Sequence, residues 1–254
     1  MVIHVVRPGE SLSSVAREYG VPLSQLAVDN GLQNDPRLVV GQALVVQFPQ
    51  QVHTVQPGES LSSIARQYGM SLRQLYRNNP ILGGGPVLYP GQTLVISYEG
   101  ATEGVLSVNG YAYPFIDKDL LQSTVPYLTF LTPFTYGFTP DGTLVDLDDG
   151  VLIAMAKAGG AAPLMHLSTL TGEGGFSNEL AHIALTDRTV QDALISNLRR
   201  TLEEKGYRGL DVDFEYVFPE DASAYAAFLG RLTALLNPLA CLLYTSPSPR
   251  DPKT

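Results

Sequence analysis

Leu12, Val15, Ala16 and Tyr19 repeat at the i, i+3, i+4, i+7 spacing of one helix face, with Ser13, Ser14, Arg17 and Glu18 between them. The same stripe returns at Leu61, Ile64, Ala65 and Tyr68. Ser11 and Ser60 stand where an N-cap belongs, and Gly20 and Gly69 where a helix stops. A second short helix follows each, carrying Leu23 and Leu26, or Leu72, Leu75 and Tyr76. β-prone stretches at 3–6 and 52–55 precede them, and "GQALVVQF" and "GQTLVISY" close them. Two copies of a β-α-α-β unit are predicted, over 1–48 and 51–98. "VVRPGESLSSVAREYGVPLSQLAVDN" (5–30) matches "TVQPGESLSSIARQYGMSLRQLYRNN" (54–79) along its length, so the repeat is visible in the letters as well as in the pattern.

Beyond "EGATEGVLS" (99–107), which reads as a linker, the pattern changes. Apolar β-rich segments at 111–116, 127–139, 162–170 and 209–217 alternate with helical stretches at 149–160, 187–206 and 220–238. Strands alternating with helices imply βα units and a parallel sheet. Four such units over 108–239 make the N-terminal half of an α/β (β/α)8 TIM barrel. After Pro238 the helical stripe ends in "LACLLYTSPSPRDPKT", and 240–254 reads as a non-native tail standing where the next strand belongs.

The segment "YRGLDVDFEYV" (207–217) puts Asp211, Asp213 and Glu215 on alternate positions of a strand otherwise built of Leu210, Val212, Phe214 and Val217. A strand has period two, so the three acids share one face. An exposed edge would leave them solvated, but the flanking helices are amphipathic and both faces of a parallel sheet are covered. The acids are therefore expected to point into the barrel, where burial and like charge raise a carboxyl pKa. At the carboxyl ends of barrel strands such residues are catalytic.

Charge and composition narrow the ligand. The chain has 254 residues, a formal charge of −9 and 44% hydrophobic residues. Acidity disfavours nucleic acid, and no apolar run is long enough to span a membrane. The single Cys241 gives no disulfide framework, and His4, His53, His166 and His182 show no metal-ligand spacing, so no metal or cofactor is expected. His4 and His53, at matching places in the repeat, read as strand-surface residues. No secretory signal is visible at the start of the chain.

"PGESL", the helix, "N" or "NNP", and then "GQ.L" closely resemble the LysM module, a carbohydrate-binding unit. The resemblance implies a shallow groove for N-acetylglucosamine units of peptidoglycan or chitin. That groove involves Gly9, Ser11, Leu12, Asn30 and Gly31 in the first module, and Gly58, Ser60, Leu61, Asn79, Pro80 and Ile81 in the second. Glycines there let backbone amides approach an acetamide.

"GLDVDFE", with "VNGYAYPFI", "PFTYGFTPDGTL" and "GGFSNELAH", resembles the family 18 glycoside hydrolases, in the branch of spore-germination enzymes that cleave cortex peptidoglycan. The likeness spans roughly 1–239. It implies Glu215 as general acid and base, Asp213 orienting the substrate's acetamide, Asp211 paired with Asp213, and Tyr136 on the barrel floor unless it is a core aromatic. In that family the substrate supplies the nucleophile. The family's usual further acid falls on Arg208 here, and the chain has no tryptophan for the usual sugar platform. The implied function is a wall- or cortex-associated N-acetylglucosaminidase, with weak or no turnover expected of this chain alone. The alternative is a non-catalytic peptidoglycan- or chitin-binding protein, or a spore-coat protein.

Overall fold

The computed structural model describes residues 1–100, 104–215 and 217–244. The chain divides into a unit of 1–106 with 122–126, and a second unit of 107–121 with 127 onward. Residues 101–103 of the predicted linker and 245–254 of the predicted tail lie outside the described residues.

The first unit holds the two copies of the repeat. One runs β1 (Val2–Val5), α1 (Leu12–Tyr19), α2 (Leu23–Asp29) and β2 (Ala43–Val46); the other runs β3 (Pro49–Thr54), α3 (Leu61–Gln67), α4 (Leu72–Asn78) and β4 (Thr93–Tyr98). In each copy the two strands pair antiparallel, Val2 opposite Val46 and Thr54 opposite Thr93. The predicted stripes form the cores: Leu12, Val15 and Ala16 pack with Leu26, Leu44 and Val46, and Leu61, Ile64 and Ala65 with Leu75, Leu94 and Ile96. Ser11 and Ser60 cap as predicted. The partner is a serine three residues on, Ser14 or Ser63, whose hydroxyl accepts the cap residue's own N–H at 2.9 Å in both copies.

The second unit is built on a parallel sheet in the order β5 (Asn109–Ala112), β6 (Phe130–Pro133), β9 (Ala162–Ser168), β10 (Gly209–Asp213), β11 (Leu242–Tyr244). Between these strands run α5 (Lys118–Thr124), the short pair β7 (Gly137–Phe138) and β8 (Leu144–Val145), α6 (Gly150–Gly159), α7 (Asn178–Thr186), α8 (Arg188–Lys205) and α9 (Ala222–Leu236). Asp187 caps α8 through Thr189 and Val190, as its sequence predicts. Met165, Leu167, Leu210 and Val212 pack with Leu194, Leu198, Phe228 and Leu232 in one core.

Three differences from the sequence reading matter. First, α7 and the β7–β8 hairpin are additional elements. Second, the parallel sheet has five strands among the described residues, not four: residues 242–244 pair with 209–211, so the chain just past Pro238 continues the sheet. Third, β10 stops at Asp213, four residues short of the predicted end. Its neighbour β9 stops at Ser168, opposite Asp213, so the ladder has no further partner to pair with.

Candidate functional site

Strand β10 turns Leu210 and Val212 into the core and Asp211 and Asp213 to the opposite face. Asp211 is completely buried. The Tyr111 hydroxyl, reaching from β5, donates to Asp211 Oδ2 at 2.7 Å, while Asp211 Oδ1 has no hydrogen-bond partner among the described residues. Burial pushes the Asp211 carboxyl above the usual carboxylate range; the Tyr111 bond and His166 pull the other way, and the charge of Asp213 adds to the rise.

His166 lies directly opposite Asp211 in the β9–β10 register. Its Nε2 is 4.0 Å from Asp211 Oδ2 and 3.6 Å from Asp213 Oδ2, and its Nδ1 is 2.5 Å from Thr135 Oγ1. Asp213 keeps 30% of its side chain accessible, against 1% for His166. These two residues line a cavity of about 310 Å³ together with Tyr111, Ala112, Tyr113 and Phe134. Phe134 tilts against the His166 ring at 4.7 Å, Tyr111 meets its edge at 5.6 Å, and Tyr113 stacks on the exposed Phe115 at 5.0 Å. An aromatic wall with one accessible carboxylate on its floor suits a ring that has apolar faces and polar edges, such as a sugar. No group of three or more His, Cys, Asp or Glu among the described residues is placed to hold a metal ion.

The three predicted acids are therefore not equivalent. Asp211 and Asp213 stand together on β10, but Glu215 lies in the turn beyond it, exposed and outside the cavity lining. The burial expected around Glu215 falls instead on Asp211. Tyr136 is not on the floor either. It is 1% exposed, and its hydroxyl donates to the buried Asp149, which also accepts from Tyr207. Lys205 completes that group, 2.9 Å from Asp149 Oδ1 and 2.6 Å from the Tyr136 hydroxyl. Tyr136 is a core aromatic tied into an ion pair, its pKa raised by burial and by Asp149.

The sequence reading missed Tyr111, Phe134 and His166. Their signal was parity. Tyr111 sits in the apolar "YAYPFI", and His166 replaces an apolar residue within "PLMHLS" on a strand buried on both faces.

In the first unit the predicted groove residues divide in the same way. Gly9, Gly31, Gly58 and Ile81 are exposed, Pro80 is half-buried, and Gly9 and Gly58 hold φ of 84° and 85°, a region that favours glycine. Leu12 and Leu61 are core residues. Ser11 and Ser60 engage their hydroxyls in capping. Asn30 and Asn79 face inward as braces: the Asn79 amide donates to Leu75 O and Val95 O at 2.8 Å and accepts from Val95 N at 2.7 Å, and Asn30 does the same with Leu26 and Val45. His4 and His53 are not strand-surface residues. His4 is 2% exposed and lies between Tyr19 OH at 3.2 Å and Glu10 Oε2 at 2.9 Å; His53 lies between Tyr68 OH at 3.0 Å and Glu59 Oε2 at 2.7 Å.

Comparison with known proteins is consistent with both units. The LysM domain model matches residues 4–47 and 53–97. The cortical fragment-lytic enzyme of Bacillus anthracis is 38% identical over 244 residues, covering 92% of this chain and 55% of that protein. The cortical fragment-lytic enzyme of Bacillus subtilis is 33% identical over 260 residues, covering 100% of this chain and 59% of that protein. The crystal structure of the Bacillus cereus spore cortex-lytic enzyme SleL superposes with a TM-score of 0.70 at 34% identity, over 96% of this chain and 57% of that one. The chain thus spans a little over half the length of these relatives.

Proposed function

We propose that this chain is part of a LysM-bearing family 18 protein of the spore cortex-lytic type, which at full length binds peptidoglycan and cleaves its glycan strand at β-1,4 bonds next to N-acetylglucosamine, with weak or no turnover from this chain alone. Supporting this reading most directly is the Asp211–Asp213 pair under an aromatic-walled cavity of about 310 Å³. In this reading Asp213, the accessible member, orients the acetamide of the sugar in the cavity. The acetamide oxygen attacks the anomeric carbon, the bond to the departing oxygen breaks, and Glu215 gives that oxygen its proton. Water then opens the oxazolinium, Glu215 takes the water's proton, and configuration is retained. Asp211, held by Tyr111, fixes the position and charge of Asp213. The two modules of the first unit keep the chain on its polymer, in the spore cortex or cell wall, and the cortex-lytic relatives favour peptidoglycan over chitin.

The test is release of reducing ends from cortex fragments by the full-length protein. Glu215→Gln is expected to lower turnover by about 10²–10⁴-fold with wall binding intact; undiminished turnover would overturn the assignment. Binding without catalysis is the second reading, favoured by the exposed place of Glu215 outside the cavity. It expects the chain to sediment with insoluble peptidoglycan and to release nothing from it.

A further inference from the structure

His166 stands in the Asp211–Asp213 site without a role in the reading above, on which the following rests. It is an imidazole with 1% of its side chain accessible, and both ring nitrogens face polar groups. Toward Nε2 lie the two carboxylates of β10, and the ion pairs recorded for Asp211 and for Asp213 are both with this ring. Toward Nδ1 lies Thr135 Oγ1 at 2.5 Å, itself 3.0 Å from Ser168 Oγ and 3.3 Å from Tyr136 O. From β5 comes the Tyr111 hydroxyl, already given to Asp211, and Phe134 covers the ring face. These are the groups that surround the imidazole.

Two carboxylates two residues apart on one strand face, one of them fully buried, do not both ionise without a compensating charge. The imidazole is the hydrogen-bond donor in reach of both carboxylates. The Thr135 hydroxyl has one proton, with Nδ1, Ser168 Oγ, Tyr136 O and His166 O in reach. When that proton goes to Nδ1, the shortest of these contacts, the neutral ring carries its hydrogen on Nε2, aimed at the carboxylates. At 3.6 Å the contact with Asp213 is just beyond hydrogen-bond length, and the partly accessible Asp213 side chain has room to rotate and close it.

We propose that His166 is a positioning residue, whose Nε2–H, with Nδ1 engaged by Thr135, draws the Asp213 carboxylate toward Asp211. It touches no reacting atom. It acts by fixing where Asp213 points.

The test reads the ring directly. Imidazole ¹⁵N signals of the chain are recorded at about pH 8, with those of His166 identified by their loss in His166→Gln and, independently, in His166→Asn. A ring carrying its hydrogen on Nε2 is expected, and Asp213→Asn is expected to shift the His166 Nε2 signal while leaving Nδ1 in place. A ring protonated on Nδ1 alone, or an Nε2 signal unmoved by Asp213→Asn, overturns the proposal. Turnover is not needed for this reading: a full-length protein that never hydrolyses glycan sinks the proposed function and leaves the ring signals standing.

Discussion

The two units differ in how completely they satisfy their buried polar side chains. In the LysM unit the buried polar groups are engaged: each asparagine brace makes three hydrogen bonds, and each histidine is held on both ring nitrogens. In the barrel unit Asp149 is engaged likewise, but Asp211 Oδ1, Thr169 Oγ1 and Asn109 Nδ2 are buried without a partner among the described residues, and His166 stops short of hydrogen-bond distance from its carboxylates. Unsatisfied buried polar atoms cost free energy in a folded chain. Asp211 stands beside the cavity-lining Asp213 and His166, so a polar group left open there costs stability at the candidate site itself.

The largest effect that could break this contrast is at Asn79. Asn79→Ala removes three buried hydrogen bonds, two to Val95 of β4 and one back to Leu75 of α4. A loss of about 3 kcal/mol in denaturant unfolding is expected. A loss below about 0.5 kcal/mol would mean that the asparagine serves a ligand rather than the fold.

The same contrast explains what was legible in the sequence. The repeat could be read because its determinants are local: a 3.6-residue stripe, a serine cap and a glycine stop fix each helix within a few residues. The barrel strands could be read for existence but not for length. Phe214 looks like strand, yet β9 has already ended, and the ring packs instead on Tyr225 and Phe228 of α9. Glu215 then falls in a turn. His4 kept the strand's alternation but reversed the expected polarity, buried between the exposed Ile3 and Val5 because Tyr19 and Glu10, 15 and 6 residues on, take both its nitrogens. Tyr111 and Asp211 meet across 100 residues, a pairing that only the order of strands in the sheet creates.

The next effect is one of pH, and its sign differs between the units. Asp211 has its folded pKa raised by burial, so its favourable contribution is complete below the unfolded value of about 4 and is lost as pH rises through the folded value. Asp211→Asn is expected to lose hydrolysis while gaining about 1 kcal/mol of stability at pH 7, the gain vanishing below about pH 4. Glu10 and Glu59 are lowered instead, first by the backbone N–H of Arg7 or Gln56 and then by the histidine. Their contribution is present above the unfolded value and is lost as pH falls through the folded one. Acid therefore loosens the LysM modules while relieving the barrel strand. Unfolding curves of Asp211→Asn and Glu59→Gln, each against the parent between pH 3 and 8, check this; gaps that move the same way with pH would end the comparison.

The smallest effect tests whether the two modules really use one device. Ser63→Ala removes the hydroxyl that accepts the Ser60 N–H at 2.9 Å and leaves the Ser60 side chain still accepting from residue 63 at 3.1 Å. These bonds are exposed, so water replaces what is lost, and the expected cost is about 0.5 kcal/mol. Ser14→Ala removes the same bond, also at 2.9 Å, from the first module. Equal shifts in denaturant midpoint for the two variants are expected, because cap, stripe and glycine stop recur residue for residue. A first-module shift several times larger would show that the repeated letters carry unequal structural roles.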